Sequence, residues 1–216
     1  LLEPYQGRGV YVADAQFVKE IAQFCEEKSV LLILDEMQSG FYRTGKRFCF
    51  EYYNLQPDLI CLGKGISSSL PLSAVAGKRH IFDKTSDFEI LTTHSANPLS
   101  CAAALANIEF LETKSFRESL KDIQLAFSKE IIATSQVTAN ISRTECLGMV
   151  AGIHLTKNNE PSGEFAKKVV YECFKRGLLL NAPSGLHKSF LRLTPPLTIT
   201  KEALQEGFDI LKEVLK

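Results

Sequence analysis

The sequence predicts an α/β protein. Three observations carry that expectation. A continuous apolar run, Val30-Leu31-Leu32-Ile33-Leu34, directly follows a segment of helical period. Two further short apolar segments, Asp58 to Leu62 and Leu72 to Ala76, come next along the chain. Beyond residue 142 strand and helix patterns alternate again. Such alternation argues for sheets covered by helices.

Taken in order, Asp14 to Ser29 places Phe17, Val18, Ile21, Ala22, Phe24 and Cys25 on one helical face, with acids and lysines opposite. Ser29 to Leu34 is apolar throughout, as expected of a strand buried on both sides. Asn97 followed by Pro98 is an N-cap with proline at the first helical position. The helix it opens contains Ala102, Ala103, Ala104 and Ala106. Polar, charged sequence follows to about Ser142. A second unit then reads as a strand from Met149 to Leu155 and a helix from Gly163 to Arg176 that Gly177 stops. Strands near Leu178 to Leu180 and Phe190 to Leu193 follow, then a last helix from Lys201. That helix repeats Leu204, Phe208, Leu211 and Leu215 at helical spacing. The chain is thus expected to form two α/β units, residues 1–115 and 116–216, divided in the helical region near 110 to 125.

The 216 residues suit one large or two small domains. Lys+Arg and Asp+Glu each total 25, so the formal charge is zero and nothing electrostatic points to nucleic acid or an acidic membrane. The longest apolar run is far short of the roughly 20 residues that span a bilayer. The six cysteines lie 12 or more residues apart. No Cys-x-x-Cys metal or redox knuckle exists, and reduced packing cysteines of a cytoplasmic protein are expected, with no metal. The opening Leu1-Leu2-Glu3-Pro4 is not an initiator sequence, and an upstream part of a larger protein is expected.

Chemistry concentrates at strand ends, where ligands of open α/β sheets bind. The first candidate strand ends in Asp35-Glu36-Met37-Gln38-Ser39-Gly40, the second in Gly63-Lys64-Gly65. A loop after the third reaches Thr92-Thr93-His94-Ser95. Asp35 reads as a strand-end turn residue or cap, or as the acidic strand end of a P-loop ATPase. Gly40 to Lys46 fits G-x-x-x-x-G-K, but the magnesium-binding Ser or Thr is replaced by Arg47 and no strand leads directly into it. Lys64 is unusual for a surface charge: flanking glycines admit close neighbours, and burial turns an amine towards a nucleophilic form. A strand-end Lys beside a strand-end Asp is the pair that pyridoxal phosphate chemistry needs, one for the Schiff base and one for the pyridinium nitrogen.

The residues carry a family resemblance. Leu32-Ile33-Leu34-Asp35-Glu36-Met37-Gln38-Ser39-Gly40-Phe41-Tyr42-Arg43-Thr44-Gly45 resembles the signature of class III aminotransferases, the ornithine, acetylornithine and 4-aminobutyrate type. So do Pro57 to Gly65, Thr93-His94-Ser95-Ala96-Asn97-Pro98-Leu99, the opening Glu3-Pro4-Tyr5-Gln6-Gly7, and Leu191-Arg192-Leu193-Thr194-Pro195-Pro196-Leu197. The resemblance implies fold type I, with 1–115 the later part of a large mixed-sheet domain that binds pyridoxal 5'-phosphate and 116–216 a small C-terminal α/β domain. It implies a homodimer that moves an amino group from an amine or ω-amino acid donor to a 2-oxo acid acceptor. By position, Asp35 would pair with the pyridinium nitrogen and Gln38 with the ring hydroxyl oxygen. Lys64 would carry the cofactor, Thr93 would reach the phosphate bound by the other subunit, and Arg192 would meet the substrate carboxylate.

Two departures stand out. Arg8 occupies a position where many ω-amino-acid enzymes have the Glu that pairs with the arginine matching Arg192; two cations there favour a bridging anion. The family's glycine-rich phosphate turn and ring-stacking aromatic are not in this sequence, so the segment alone is expected to be inactive. A decarboxylating transaminase or an aminomutase on the same scaffold is the first alternative, and a P-loop-like ATP-binding module a remote one.

Overall fold

The structure is a computed structural model, and it describes residues 1–86, 89–90 and 92–216. It divides into two compact units, Leu1–Tyr5 with Ala13–Arg117, and Gln6–Val12 with Glu118–Lys216. Two short strands, β1 (Tyr5–Gln6) and β2 (Tyr11–Val12), bracket the turn that begins at Gly7.

In the first unit Asp14 caps α1 (Ala15–Glu27), accepting from the N–H groups of Gln16 and Phe17 at 2.9 and 3.0 Å. The sheet runs in the order β3 (Ile33–Asp35), β4 (Leu59–Leu62), β5 (Ala74–Gly77). β3 and β4 are parallel, with Asp35 opposite Cys61. β5 is antiparallel to β4, with Leu62 opposite Ala74. After the short α2 (Arg79–Phe82), Asn97 caps α3 (Pro98–Leu111) as expected, accepting from Leu99 N and Ser100 N.

Three expectations need correction here. The start of β5, not its carboxyl end, lies beside the end of β4, because the pair is antiparallel. The run at 29–34 is not buried on both sides. Leu32 and Leu34 are buried, Ile33 is half-buried, and Val30 and Leu31 are exposed, the alternation of a strand covered on one face. Of the apolar face assigned to α1, only Val18 is buried; Phe17 and Phe24 are exposed.

The helix α4 (Lys114–Ser135) crosses the division between units. In the second unit its Leu120, Ile123, Phe127 and Ile131 are buried, a stripe at spacings of three, four and four. Next come β6 (Ile141–Leu147), β7 (Val150–Lys157) and β8 (Glu160–Pro161), then α5 (Gly163–Lys175), β9 (Phe190–Leu193) and α6 (Lys201–Leu215). β7 is central, antiparallel to β6, β8 and β9. Ser162 and Thr200 cap α5 and α6 through their hydroxyls. Gly177, at φ +89°, takes the left-handed turn that ends α5. Leu204, Phe208, Leu211 and Leu215 of α6 are all buried, and Phe208 meets Phe127 edge-on at 5.7 Å between ring centres.

The polar stretch before Ser142 therefore holds a 22-residue helix and the start of a strand. Leu178 to Leu180 is not a strand; these leucines line a cleft with α6 instead. A short apolar run alone does not distinguish the two cases. No helix among the described residues is long and apolar enough to cross a membrane.

Candidate active site

Parallel pairing of β3 and β4 brings Asp35 and Lys64 to the same end of the sheet. Asp35 is the last residue of β3, and Lys64 lies three residues beyond its partner Cys61. Strand spacing and rise place the two Cα atoms on the order of 10 Å apart, within reach of a small ligand held between the side chains. Asp35 is half-buried, and its Oδ1 accepts from Met37 N at 2.9 Å. Its Oδ2 has no hydrogen-bond partner among the described residues. Gln38, on the turn that follows, donates from Nε2 to the phenol oxygen of buried Tyr5 at 3.4 Å.

Lys64 has φ +42°, a left-handed conformation that an L-residue adopts at a cost of about 1–3 kcal/mol. Gly65 behind it allows close packing, since a Cβ there would come 3.3 Å from that of Phe41. Asn107 of α3 holds the turn, donating from Nδ2 to the carbonyls of Gly65 at 2.8 Å and Ile66 at 3.2 Å. The expected burial of Lys64 is not found: it is exposed, standing beyond the strand end rather than within the sheet.

Glu36, next to Asp35, is wholly buried and anchors the turn. It accepts from Ser39 Oγ, from Cys49 N at 3.0 Å and from Phe50 N at 2.8 Å. Burial pushes its carboxyl above the ordinary range, and the three hydrogen bonds pull the other way. Gly40 must lack a side chain, because a Cβ would lie 2.8 Å from the Glu36 carbonyl oxygen. Burial also holds the Arg43 guanidinium down, at about 10. The 40–48 segment leads into a 3-10 turn at Cys49–Tyr52, not the α-helix a P-loop requires.

Thr93 is exposed in a turn before α3, and no hydrogen bond among the described residues joins it to Asp35, Gln38 or Lys64. Asn107, which touches the Lys64 turn, lies ten residues into the helix from Asn97. Ten residues are about 15 Å of helix.

In the second unit Arg192 lies on β9 opposite Gly152 of β7. Its Nη1 donates to Gly7 O at 3.2 Å, and its Nε is buried without a partner. Arg8, the next residue after Gly7, is exposed. A cleft of about 610 Å³ begins at Arg192 and runs between Leu178–Ala182 and α6. Sequence reasoning passed over Asn107, the anchoring role of Glu36, and His154, whose Nε2 lies 3.2 Å from Gly9 O. None carries a local signal. The six cysteines are free, and Cys101 is exposed rather than packed. No cluster of three metal-ligating side chains occurs among the described residues.

Asp35, Lys64 and Gln38 together offer a carboxylate with one unpartnered oxygen, a free amine and an amide, at one open sheet end. That donor set fits a flat pyridine aldehyde with a ring hydroxyl: the carboxylate suits a protonated ring nitrogen, the amine an aldehyde and the amide a ring oxygen.

The family described as aminotransferase class-III is matched over residues 1–215. The chain is 36% identical to the 2-aminoadipate transaminase of Pseudomonas putida over its whole length, covering 52% of that protein. It is 35% identical to an alanine/serine racemase of Pyrococcus horikoshii, over 99% of the chain and 45% of the relative. A crystal structure of a Bacillus anthracis aminotransferase superposes with a TM-score of 0.90 at 30% identity, over 99% of this chain and 51% of that one. The chain thus spans about half the length of the proteins it matches.

Proposed function

The chain belongs to the class-III aminotransferases, pyridoxal 5'-phosphate enzymes of fold type I, and from that premise we propose that the protein carrying it transfers an amino group from an amine or ω-amino acid donor to a 2-oxo acid. The observation that carries the reading is the juxtaposition of Asp35 and Lys64 at the ends of adjacent parallel strands. When bound, the cofactor supplies an electron-accepting ring that stabilises negative charge at the substrate carbon. Asp35 would hold the cofactor's ring nitrogen through its carboxylate and favour the protonated form of that nitrogen. Gln38 orients the ring oxygen through its side-chain amide. Lys64 would hold the cofactor through Nζ and, once released from it, would carry the proton at the substrate Cα.

In this reading residues 1–115 are the later part of the large cofactor domain and 116–216 the small domain. Thr93, exposed in the turn before α3, serves the phosphate held by the other subunit of a homodimer. The homodimer is further supported by α3, which spreads apolar side chains around the helix yet leaves Leu99, Leu105 and Phe110 exposed. All-round apolarity is the pattern of a helix meant for burial. A cytoplasmic location follows the same reading. The 216 residues alone are expected not to hold the cofactor tightly, since Lys64 is open to water. Arg192 receives a substrate carboxylate, and Arg8 favours a donor bearing a second acidic group. The 2-aminoadipate named for the Pseudomonas relative is such a compound.

A second reading, racemisation on the same residues, is favoured by the racemase relative. The visible spectrum of the full-length protein separates the two. With an amino donor alone, an aminotransferase accumulates the aminated cofactor until a 2-oxo acid restores the original band. A racemase inverts the amino acid with no need of a 2-oxo acid. A protein without a cofactor band contradicts both.

A further inference from the structure

Two side chains from adjacent strands of the second unit grip the carbonyls on either side of Arg8. Arg192 Nη1 of β9 donates to Gly7 O, and His154 Nε2 of β7 meets Gly9 O, both at 3.2 Å. A carbonyl only accepts, so His154 carries its proton on Nε2. The imidazole is flanked by the rings of Tyr11 and Phe190, at 5.4 and 5.0 Å between centres. Arg143 lies over the Tyr11 ring at 5.0 Å. The turn rests directly on β7. A Cβ at Gly152 would come 2.9 Å from Val10 Cβ and 2.5 Å from the Phe190 ring. Val10 itself is wholly buried at φ +54°, a true outlier for a β-branched residue. Such a backbone persists only where its surroundings over-determine it. Between these fixed points only Arg8 faces outward.

We propose that His154 and Arg192 form a two-point clamp on the Gly7–Val10 turn, and that His154 is thereby a positioning residue that aims Arg8 at an acidic group of the amino donor. The inference rests on the aminotransferase reading for the donor and on the turn geometry for the clamp. His154 does not touch the substrate; it limits where the Arg8 guanidinium can go, and a pre-organised arginine loses less freedom on binding a carboxylate.

The test uses the full-length, cofactor-loaded protein. Steady-state kinetics are measured with 2-aminoadipate and with pentylamine, and binding of adipate, which has no amine to react, is measured by calorimetry. His154→Ala should raise KM for 2-aminoadipate about tenfold and weaken adipate by the same factor, the scale of one positioning hydrogen bond. It should leave kcat within about twofold and spare pentylamine. His154→Gln, whose amide can still donate to Gly9 O, should restore most of the loss. In an Arg8→Ala background, His154→Ala should add less than about twofold. Equal losses for both donors, an effect on kcat alone, or full additivity with Arg8→Ala would overturn the clamp, as would wild-type protein that does not bind adipate. Failure of all turnover, with adipate binding still lost in His154→Ala and regained in His154→Gln, would refute the reaction and leave the clamp standing.

Discussion

Helices α3 and α6 are nearly equal in length, 14 and 15 residues, yet they use their apolar side chains in opposite ways. α6 confines Leu204, Phe208, Leu211 and Leu215 to one stripe and buries all four within its own unit. α3 spreads its apolar side chains around the helix, interrupted by Asn107 and Glu109, and buries only Ser100, Ala104 and Leu111. The second unit closes a core by itself, and the first presents a helix whose apolar surface exceeds what the unit can cover. The first unit also holds Asp35 and Lys64 at one end of its sheet, and the second holds Arg192 and the turn of Arg8.

The contrast can be broken most sharply by stability. In urea unfolding of the 216-residue chain, Leu211→Ala should cost about 2–5 kcal/mol, the range for a truncated core leucine. Leu105→Ala should change stability by no more than about 0.5 kcal/mol, since its side chain is exposed. Comparable losses at both positions would show that α3 is packed after all.

Chemistry offers the next contrast. In the full-length protein, Asp35→Asn keeps the shape of the side chain and removes its charge. Turnover should fall about 10²- to 10³-fold, the scale for one preorganised electrostatic group, with cofactor partly retained. Unchanged turnover would remove Asp35 from the reaction and shift attention to the second unit.

The smallest expected effect concerns pH. Burial lowers the His154 pKa below 6.5, its ordinary value, with the Gly9 hydrogen bond opposing the shift. A histidine whose folded pKa is depressed contributes stability that is present above the unfolded pKa and is lost as pH falls. The melting temperature of the 216-residue chain should therefore drop as pH falls below about 6.5. His154→Gln should flatten that part of the profile. A profile identical in the variant would show that His154 titrates as it does in the unfolded chain.

Much of this architecture is written locally. The Asn97-Pro98 cap, the stripe of α6, Gly177 after α5 and the strand ends at Asp35 and Gly63-Lys64-Gly65 each depend on residues a few positions apart. What stayed hidden depends on distant partners. α4 reads as polar because its buried stripe is diluted by lysines and acids on the other faces. β6 reads as polar because Ser142 and Arg143 face outward. The antiparallel sense of β5 is a matter of connection, not composition. The joining of Gly7 to Arg192 and of Gly9 to His154 links positions 185 and 145 residues apart, and no spacing rule reaches that far. Asn107 is an unremarked polar residue in an apolar helix until its amide is seen on the Lys64 turn. Arg8 is legible as a departure from a family pattern, and the structure adds the strained turn that carries it.

Lys64 is the residue proposed to hold the cofactor. Borohydride reduction of the full-length protein followed by peptide mapping tests this most directly. The pyridoxyl group should be found on Lys64, and Lys64→Ala should lose both the protein-linked chromophore and turnover. Recovery of the label on Lys46 or Lys78, with Lys64→Ala still coloured and active, would contradict it.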